Sequence, residues 1–336
     1  MTQRFPMPIP YGWYAVGFSA DLEIGEAKHI HYFGLDMVMF RTESGQVKVL
    51  EAYCPHLGAN LGVNGKVIGE HIACPFHAWE FNGEGVLKNI PYIKNNPPKV
   101  MDKKCLRHYS VVEANRVIWV WYHPEHTAPE YDVAEHLELN EEAEQWTDFE
   151  IFSWQVKCHI QDMAENAADP AHFVYVHGTA SFPETEITFD NQLRTSIINA
   201  DMETPRGTIP GSISSYSNGP GQTWTRFTGI CETLLLGLVT PIDQELVQVH
   251  FAFVQQKKNG EAPKGGVNAA IVADIKKQIE EDIPIWENKI YRPLPILCDG
   301  DGPIAKFRKW YRTFYVNYEE NRDTERLAAI ETDNYI

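Results

Sequence analysis

Two short loops, YCPHLGANLG and ACPFHAWEF, constrain this chain more than any other part of it. They carry Cys54 and His56 and then, after seventeen intervening residues, Cys74 and His77, giving a C-x-H and a C-x-x-H. Two thiolates and two imidazoles at such spacing can close on one metal site, for which zinc and an iron–sulfur cluster compete. Structural zinc sites usually pair like with like, two Cys from one turn and two His from another. Here each loop brings one Cys and one His. That suits a two-iron, two-sulfur cluster in which both Cys hold one iron and both His the other. Proline follows each Cys, and Gly58 follows the first His by two residues; both suit tight loops whose backbone approaches the cluster sulfurs. The bland alternative, two unrelated Cys-Pro turns with incidental histidines, needs four ligand-type residues to coincide in two matched loops.

A second group lies in ENAADPAHFVYVHG, where Asp169, His172 and His177 form D-x-x-H-x-x-x-x-H. Two imidazoles five apart share a helix face only where the helix ends or distorts. Two His and one carboxylate make the facial triad of non-haem iron oxygenases, which leaves positions open for O2. Alone the pattern is weak, since histidines in an aromatic stretch are more often packing or surface residues. Behind a one-electron carrier it gains force, because such a carrier needs an acceptor. The third ligand must come from elsewhere. Asp282 in QIEEDIPIWENK, beside Ile283, Ile285 and Trp286, is the candidate, with Glu280 and Glu281 as alternatives on a run of acids.

The rest of the chain supports two domains, expected at 1–125 and 126–336. Residues 12–122 read as short strands broken by turns, with hairpins at MVMFRTESGQVKVLEAYC and VVEANRVIWVWY. Residues 123–150 turn acidic and read as a connector. Strand-like runs follow in TEITF, GICETLLLGLVTPI and LVQVHFAFV, with SISSYSNGPGQTW expected as a loop. Apolar spacing predicts a helix from Val267 to about Tyr291. The excess of 46 acidic over 29 basic residues, a formal charge of −17, argues against nucleic acid or an anionic membrane as partner. The N-terminus lacks the pattern of a signal peptide, and the longest apolar run, Leu234–Thr240, is too short to span a bilayer. Six cysteines do not suggest a disulfide scaffold, so a cytoplasmic location is expected.

Taken together, the two Cys/His loops and Asn166-x-x-Asp169-x-x-His172-x-x-x-x-His177 resemble, over nearly the whole length, the oxygenase (α) component of Rieske non-haem iron oxygenases. The resemblance implies an α+β chain: an all-β Rieske [2Fe-2S] domain, then a helix-grip (START-like) catalytic domain on an antiparallel sheet. It implies iron held by His172, His177 and Asp282, and a homotrimer in which Asp169 links His172 to His77 of the partner subunit. Asn166 would shape the open side of the iron. Electrons would arrive from NAD(P)H through a separate flavin or ferredoxin-type reductase; no Gly-rich dinucleotide fingerprint occurs in this chain. Asn89-Ile90-Pro91-Tyr92, DIPIWENK and DGPIAKFRKWYRTFY are similar to the sterol branch, which holds cholesterol 7-desaturases and 3-ketosteroid 9α-hydroxylases. Leu57 stands where ring-hydroxylating members commonly carry Arg. The likeness weakens between 185 and 265, where the family lines its substrate cavity. Hydroxylation or desaturation of a steroid-like substrate is the implied reaction, and a demethylase for a small aromatic or methylated substrate is the alternative. Ile230, Leu234, Leu236, Leu238, Val239 and the loop around Phe182 are the candidate pocket residues. A lone electron carrier would need only the first hundred or so residues, and a non-catalytic binding module would lack an iron ligand.

Overall fold

The computed structural model describes residues 4–95, 97–178, 185–204, 207–229, 231–263, 265–298 and 300–316; of 185, 199–204 and 207–210 it describes the backbone alone. The described chain forms two compact units. One holds Gly12–Ala143 with Val239–Asp243, and the other holds the rest. Among the described residues no helix is long and apolar enough to cross a membrane.

In the first unit the strands are β1 (Gly12–Phe18), β2 (Ala27–Tyr32), β3 (Leu35–Arg41), β4 (Val47–Glu51), β5 (Lys66–Ile68), β6 (His71–Ala73), β7 (Glu80–Asn82), β8 (Leu87–Asn89), β9 (His108–Tyr109), β10 (Val111–Ala114) and β11 (Val117–Tyr122). They form three sheets, β1-β11-β10, β2-β3-β4-β9 and β5-β6-β7-β8. Both expected hairpins are present, as β3-β4 and β10-β11. A core of Val38, Phe40, Leu50, Leu61, Ile72 and Phe81 packs directly against Cys54 and Cys74. Gly85, at φ +78 in the β7–β8 turn, has room for no side chain: a Cβ there would lie 2.1 Å from the Leu106 carbonyl oxygen.

The second unit is built on one antiparallel sheet. Its strands are β12 (Glu150–Val156), β13 (Thr185–Asp190), β14 (Leu193–Thr204), β15 (Gly207–Asn218), β16 (Gln222–Thr228), β17 (Thr233–Asp243) and β18 (Leu246–Gln255), ordered β12-β18-β17-β16-β15-β14-β13. The segment SISSYSNGPGQTW, expected as a loop, instead spans β15, a tight turn and β16. Its serines lie along an extended backbone paired on both sides, and strand neighbours override the turn preference of Ser and Gly.

Among the described residues four α-helices accompany the sheet: α1 (Ile160–Ala164), α2 (Ala171–Tyr175), α3 (Gly266–Trp286) and α4 (Ile304–Tyr311). Val272, Ile279, Asp282 and Trp286 are buried on α3, at the spacing of one helix face. The helix ends before the expected Tyr291. Pro284 gives it no N–H, the Asn288 side chain caps the Pro284 carbonyl at 2.8 Å, and YRPLP beyond cannot continue a helix. Between α1 and α2 runs a 3-10 turn, Glu165–Ala168. A bidentate ion pair pins it to α4: Arg308 Nε donates to Glu165 Oε1 at 2.8 Å and Nη2 to Oε2 at 3.2 Å.

The start of α1 depends on a neutral histidine. His159 Nδ1 accepts from the Gln161 N–H at 3.1 Å, its Nε2–H donates to the Pro8 carbonyl at 3.0 Å, and its ring stacks on Phe5 at 4.0 Å. Burial holds its pKa down at about 4. Below the ordinary histidine range the unfolded chain takes up a proton that the folded chain refuses. The stabilisation is therefore full above about pH 6.5 and is lost as pH falls toward 4. In urea titrations the wild type is expected to lose about 2 kcal/mol more than His159→Gln between about pH 7 and about pH 5; equal slopes would show that His159 takes no part.

Candidate functional site

The two Cys/His loops are built alike. β4 runs into Cys54 and β6 into Cys74. In each loop the Cys carbonyl accepts an N–H from the fourth residue on, Gly58 or Ala78, at 2.9 Å. In each, the Cys N–H donates to the carbonyl of the fifth residue on, Ala59 at 2.9 Å or Trp79 at 2.8 Å. Both fourth residues are left-handed, Gly58 at φ 77 and Ala78 at φ 54, so the first loop uses glycine where the second tolerates alanine. The turns bring the imidazoles together: the His56 and His77 ring centroids lie 4.7 Å apart, and His56 stacks on Trp79 at 4.5 Å.

These residues fit a cluster by their own chemistry. The Nδ1 atoms of His56 and His77 are both buried without a hydrogen-bond partner. A buried imidazole nitrogen left so is costly unless something else binds it. Cys54 and Cys74 are almost fully buried. Burial, with the adjacent Cys74 adding to it, pushes the Cys54 thiol up to about 12. Only a strong cationic partner makes two buried thiolates stable side by side.

The second centre gathers residues over a hundred positions apart in sequence. The ligand atoms of His172, His177 and Asp282 all lie within 4.8 Å of one another. α2 and the turn after it supply the histidines, and α3 supplies the acid. Each histidine is turned by what holds its Nδ1. His172 Nδ1–H donates to the Asp169 main-chain carbonyl. His177 Nδ1–H donates to Glu281 Oε2 at 3.0 Å, and the hydrogen bond to this histidine lowers the Glu281 pKa. Both Nε2 atoms are thereby left as acceptors, with His177 Nε2 3.4 Å from Asp282 Oδ2. Burial raises the pKa of Asp282, opposed by the two histidines and by a hydrogen bond from Asn166. Asn166 Oδ1 in turn accepts from Trp286 Nε1 at 3.2 Å. The Asp169 carboxylate caps α2, accepting the N–H of Ala171 at 3.0 Å and of His172 at 3.4 Å.

Among the three acids in the run, Asp282 faces the histidines, Glu281 supports His177 from the other side, and Glu280 is exposed, 3.7 Å from Lys276. The supporting role of Glu281 was not foreseen. The helix phase held the signal, because Ile279, Asp282 and Trp286 fall on one buried face and Glu281 on its flank.

A cavity of about 710 Å³ adjoins the centre. His172, His177 and Asp282 line it together with apolar Ile213, Phe227, Leu235, Phe251, Ile271 and Ile275. The pocket expectation for β17 needs correction. Leu234, Leu236 and Leu238 are buried but do not line this cavity, and neither does Val239; Leu235 does. The strand alternates, and the sequence could not say which phase faced inward. Ile230 and the loop around Phe182 lie outside the described residues.

Comparison with known proteins agrees with this geometry. The Rieske [2Fe-2S] domain family matches residues 12–110, and the 3-ketosteroid 9alpha-hydroxylase C-terminal domain family matches residues 120–315. An oxygenase component of 3-ketosteroid-9-alpha-monooxygenase from Rhodococcus rhodochrous is 29% identical over 94% of this chain and 82% of its own length. A cholesterol 7-desaturase from Xenopus laevis is 30% identical over 94% of this chain and 74% of its own. Dicamba monooxygenase bound to dicamba superposes with a TM-score of 0.69 at 16% identity, covering 90% of this chain and 96% of that one. The Pseudomonas putida CBB5 NdmA mutant with theobromine gives 0.72 at 18% identity, covering 92% and 89%. These two structures speak to the fold alone. With both halves matched in order and the α+β architecture as expected, the chain belongs to the Rieske non-haem iron oxygenases of the 3-ketosteroid 9α-hydroxylase type, whose members hold a [2Fe-2S] cluster and a mononuclear iron.

Proposed function

We propose that this chain is the terminal oxygenase of a multi-component system and that it hydroxylates or desaturates a steroid- or sterol-like substrate with O2. The observation that carries this reading is the large, mainly apolar cavity opening on His172, His177 and Asp282. A small aromatic or methylated substrate would leave much of that volume unfilled. A flavin or ferredoxin-type reductase fed by NAD(P)H would deliver the electrons. Residues 1–125 would serve as the electron-receiving domain and 126–336 as the catalytic one, in a cytoplasmic homotrimer.

Cys54, His56, Cys74 and His77 would hold the cluster, the histidines through the buried Nδ1 atoms that have no other partner. His172 and His177 would hold the iron through Nε2 and Asp282 through its carboxylate. Once bound, the cluster supplies single electrons and the iron supplies O2 activation. The surrounding residues orient this set. Glu281 and the Asp169 carbonyl fix the tautomer and direction of the imidazoles, and Asn166 holds the Asp282 carboxylate against Trp286. The apolar walls keep water away from the reacting carbon. Asp169 would also join His172 to His77 of the partner subunit, a short charged path between the two centres.

Three outcomes test this reading. Reconstituted enzyme with a generic ferredoxin and reductase is expected to add one oxygen to, or remove two hydrogens from, cholesterol or androstenedione, read by mass spectrometry; turnover of vanillate alone would replace the steroid reading with the demethylase. Glu281→Gln is expected to weaken Fe(II) binding roughly 10-fold or more while leaving the cluster absorbance intact. Asp169→Asn keeps an oxygen to cap α2, so both metals should stay bound while product formation coupled to NAD(P)H collapses; appreciable product from this variant would sink the linking role.

A further inference from the structure

The cavity is not uniformly apolar, because its sheet wall is laid in cross-strand rows of changing polarity. Ile198, Ile213 and Phe227 form one row. The next holds Ser196, Ser215, Thr225 and Leu235, all four facing the cavity. The row beyond begins with Arg194 opposite Ser217.

Arg194 is only 2% exposed and lines the cavity. Its Nε donates to Ser217 Oγ at 3.0 Å and Nη2 to Ser215 Oγ at 2.9 Å. Its Nη1 is buried with no partner, and no carboxylate pairs with the guanidinium among the described residues. Burial alone draws its pKa down to about 10, so it remains a cation at neutral pH. A buried, uncompensated cation is among the least stable arrangements a fold can carry, and such groups persist where a ligand completes them. Neutral serines can accept its hydrogen bonds but cannot cancel its charge.

We infer that Arg194 is the recognition point for a carboxylate on the substrate, so that the preferred steroid is a steroid acid, one whose side chain ends in a carboxylate. This deepens the steroid reading above and rests on it. A ketone or hydroxyl would satisfy Nη1 yet leave the charge standing, whereas a carboxylate does both, with the planar guanidinium matched to its two oxygens. Ser196 and Thr225, in the adjoining row, also line the cavity.

Calorimetry on the metal-reconstituted full chain, with lithocholate against methyl lithocholate, tests this directly. The acid is expected to bind roughly 30-fold tighter or more. That ratio should fall toward one in Arg194→Gln and recover in part in Arg194→Lys. Equal affinity for acid and ester in the wild type would overturn the inference, as would a preference that survives in Arg194→Gln. Should Arg194→Gln not fold, the wild-type ligand pair decides alone. Androstenedione and benzoate separate the two readings. Oxidation of androstenedione without preference for the acid leaves the steroid reading intact and removes this one. Tight benzoate binding without lithocholate binding removes both.

Discussion

Both candidate centres answer to one electrostatic constraint: they take groups able to ligate a metal out of water. Two thiols sit almost wholly buried side by side, two imidazole nitrogens are buried with nothing to bond, and a carboxylate is buried against two more imidazoles. Each arrangement costs free energy on its own, because desolvation disfavours the charged forms these groups adopt as ligands. A bound cation reverses that sign, and the fold is then stable in the form that works. These side chains stand on two hydrogen-bonded loops, on α2 and the turn after it, and on the buried face of α3.

Around the iron-side centre the support is layered. α3 contributes one buried face, from which Asp282 and Trp286 reach inward, while Glu281 on the flank turns His177. Asn166 joins Trp286 to Asp282, and the turn that carries Asn166 is tied to α4 by the buried Arg308–Glu165 pair. Removing one partner of such a pair strands the other charge. The ion pair thus acts on the centre at one remove, by fixing the segment that orients the acid.

How much of this could be read beforehand follows from how local each feature is. The Rieske domain was legible from the two Cys/His loops, because each loop is complete within a few residues and its Cys, His and Pro spacing leaves few other uses. His172 and His177 were legible as a pair and as a site only with the loops in view. Asp282 could be narrowed to three acids, and the choice required knowing which face of α3 is buried. The phase of β17 was out of reach, since Leu234, Leu235 and Leu236 follow one another and put leucine on both faces of the strand. The serine strand was misread because Ser, Gly and Asn signal turns locally, while the pairing of β15 on both edges is a property of the whole sheet. Arg194 gave no signal at all, for a lone arginine in a polar strand reads as solvent-facing until the fold buries it.

The rows across the sheet have an evolutionary consequence. Successive cavity-facing residues on a strand are two apart, so neighbouring rows stand ~7 Å from one another along it. A single substitution therefore alters the wall at one graduation and leaves the rest as they were. Descendants of such a sheet can drift in which part of a ligand they grip, step by step, without disturbing the helices and turn that carry His172, His177 and Asp282. Selectivity and chemistry are in this way heritable separately.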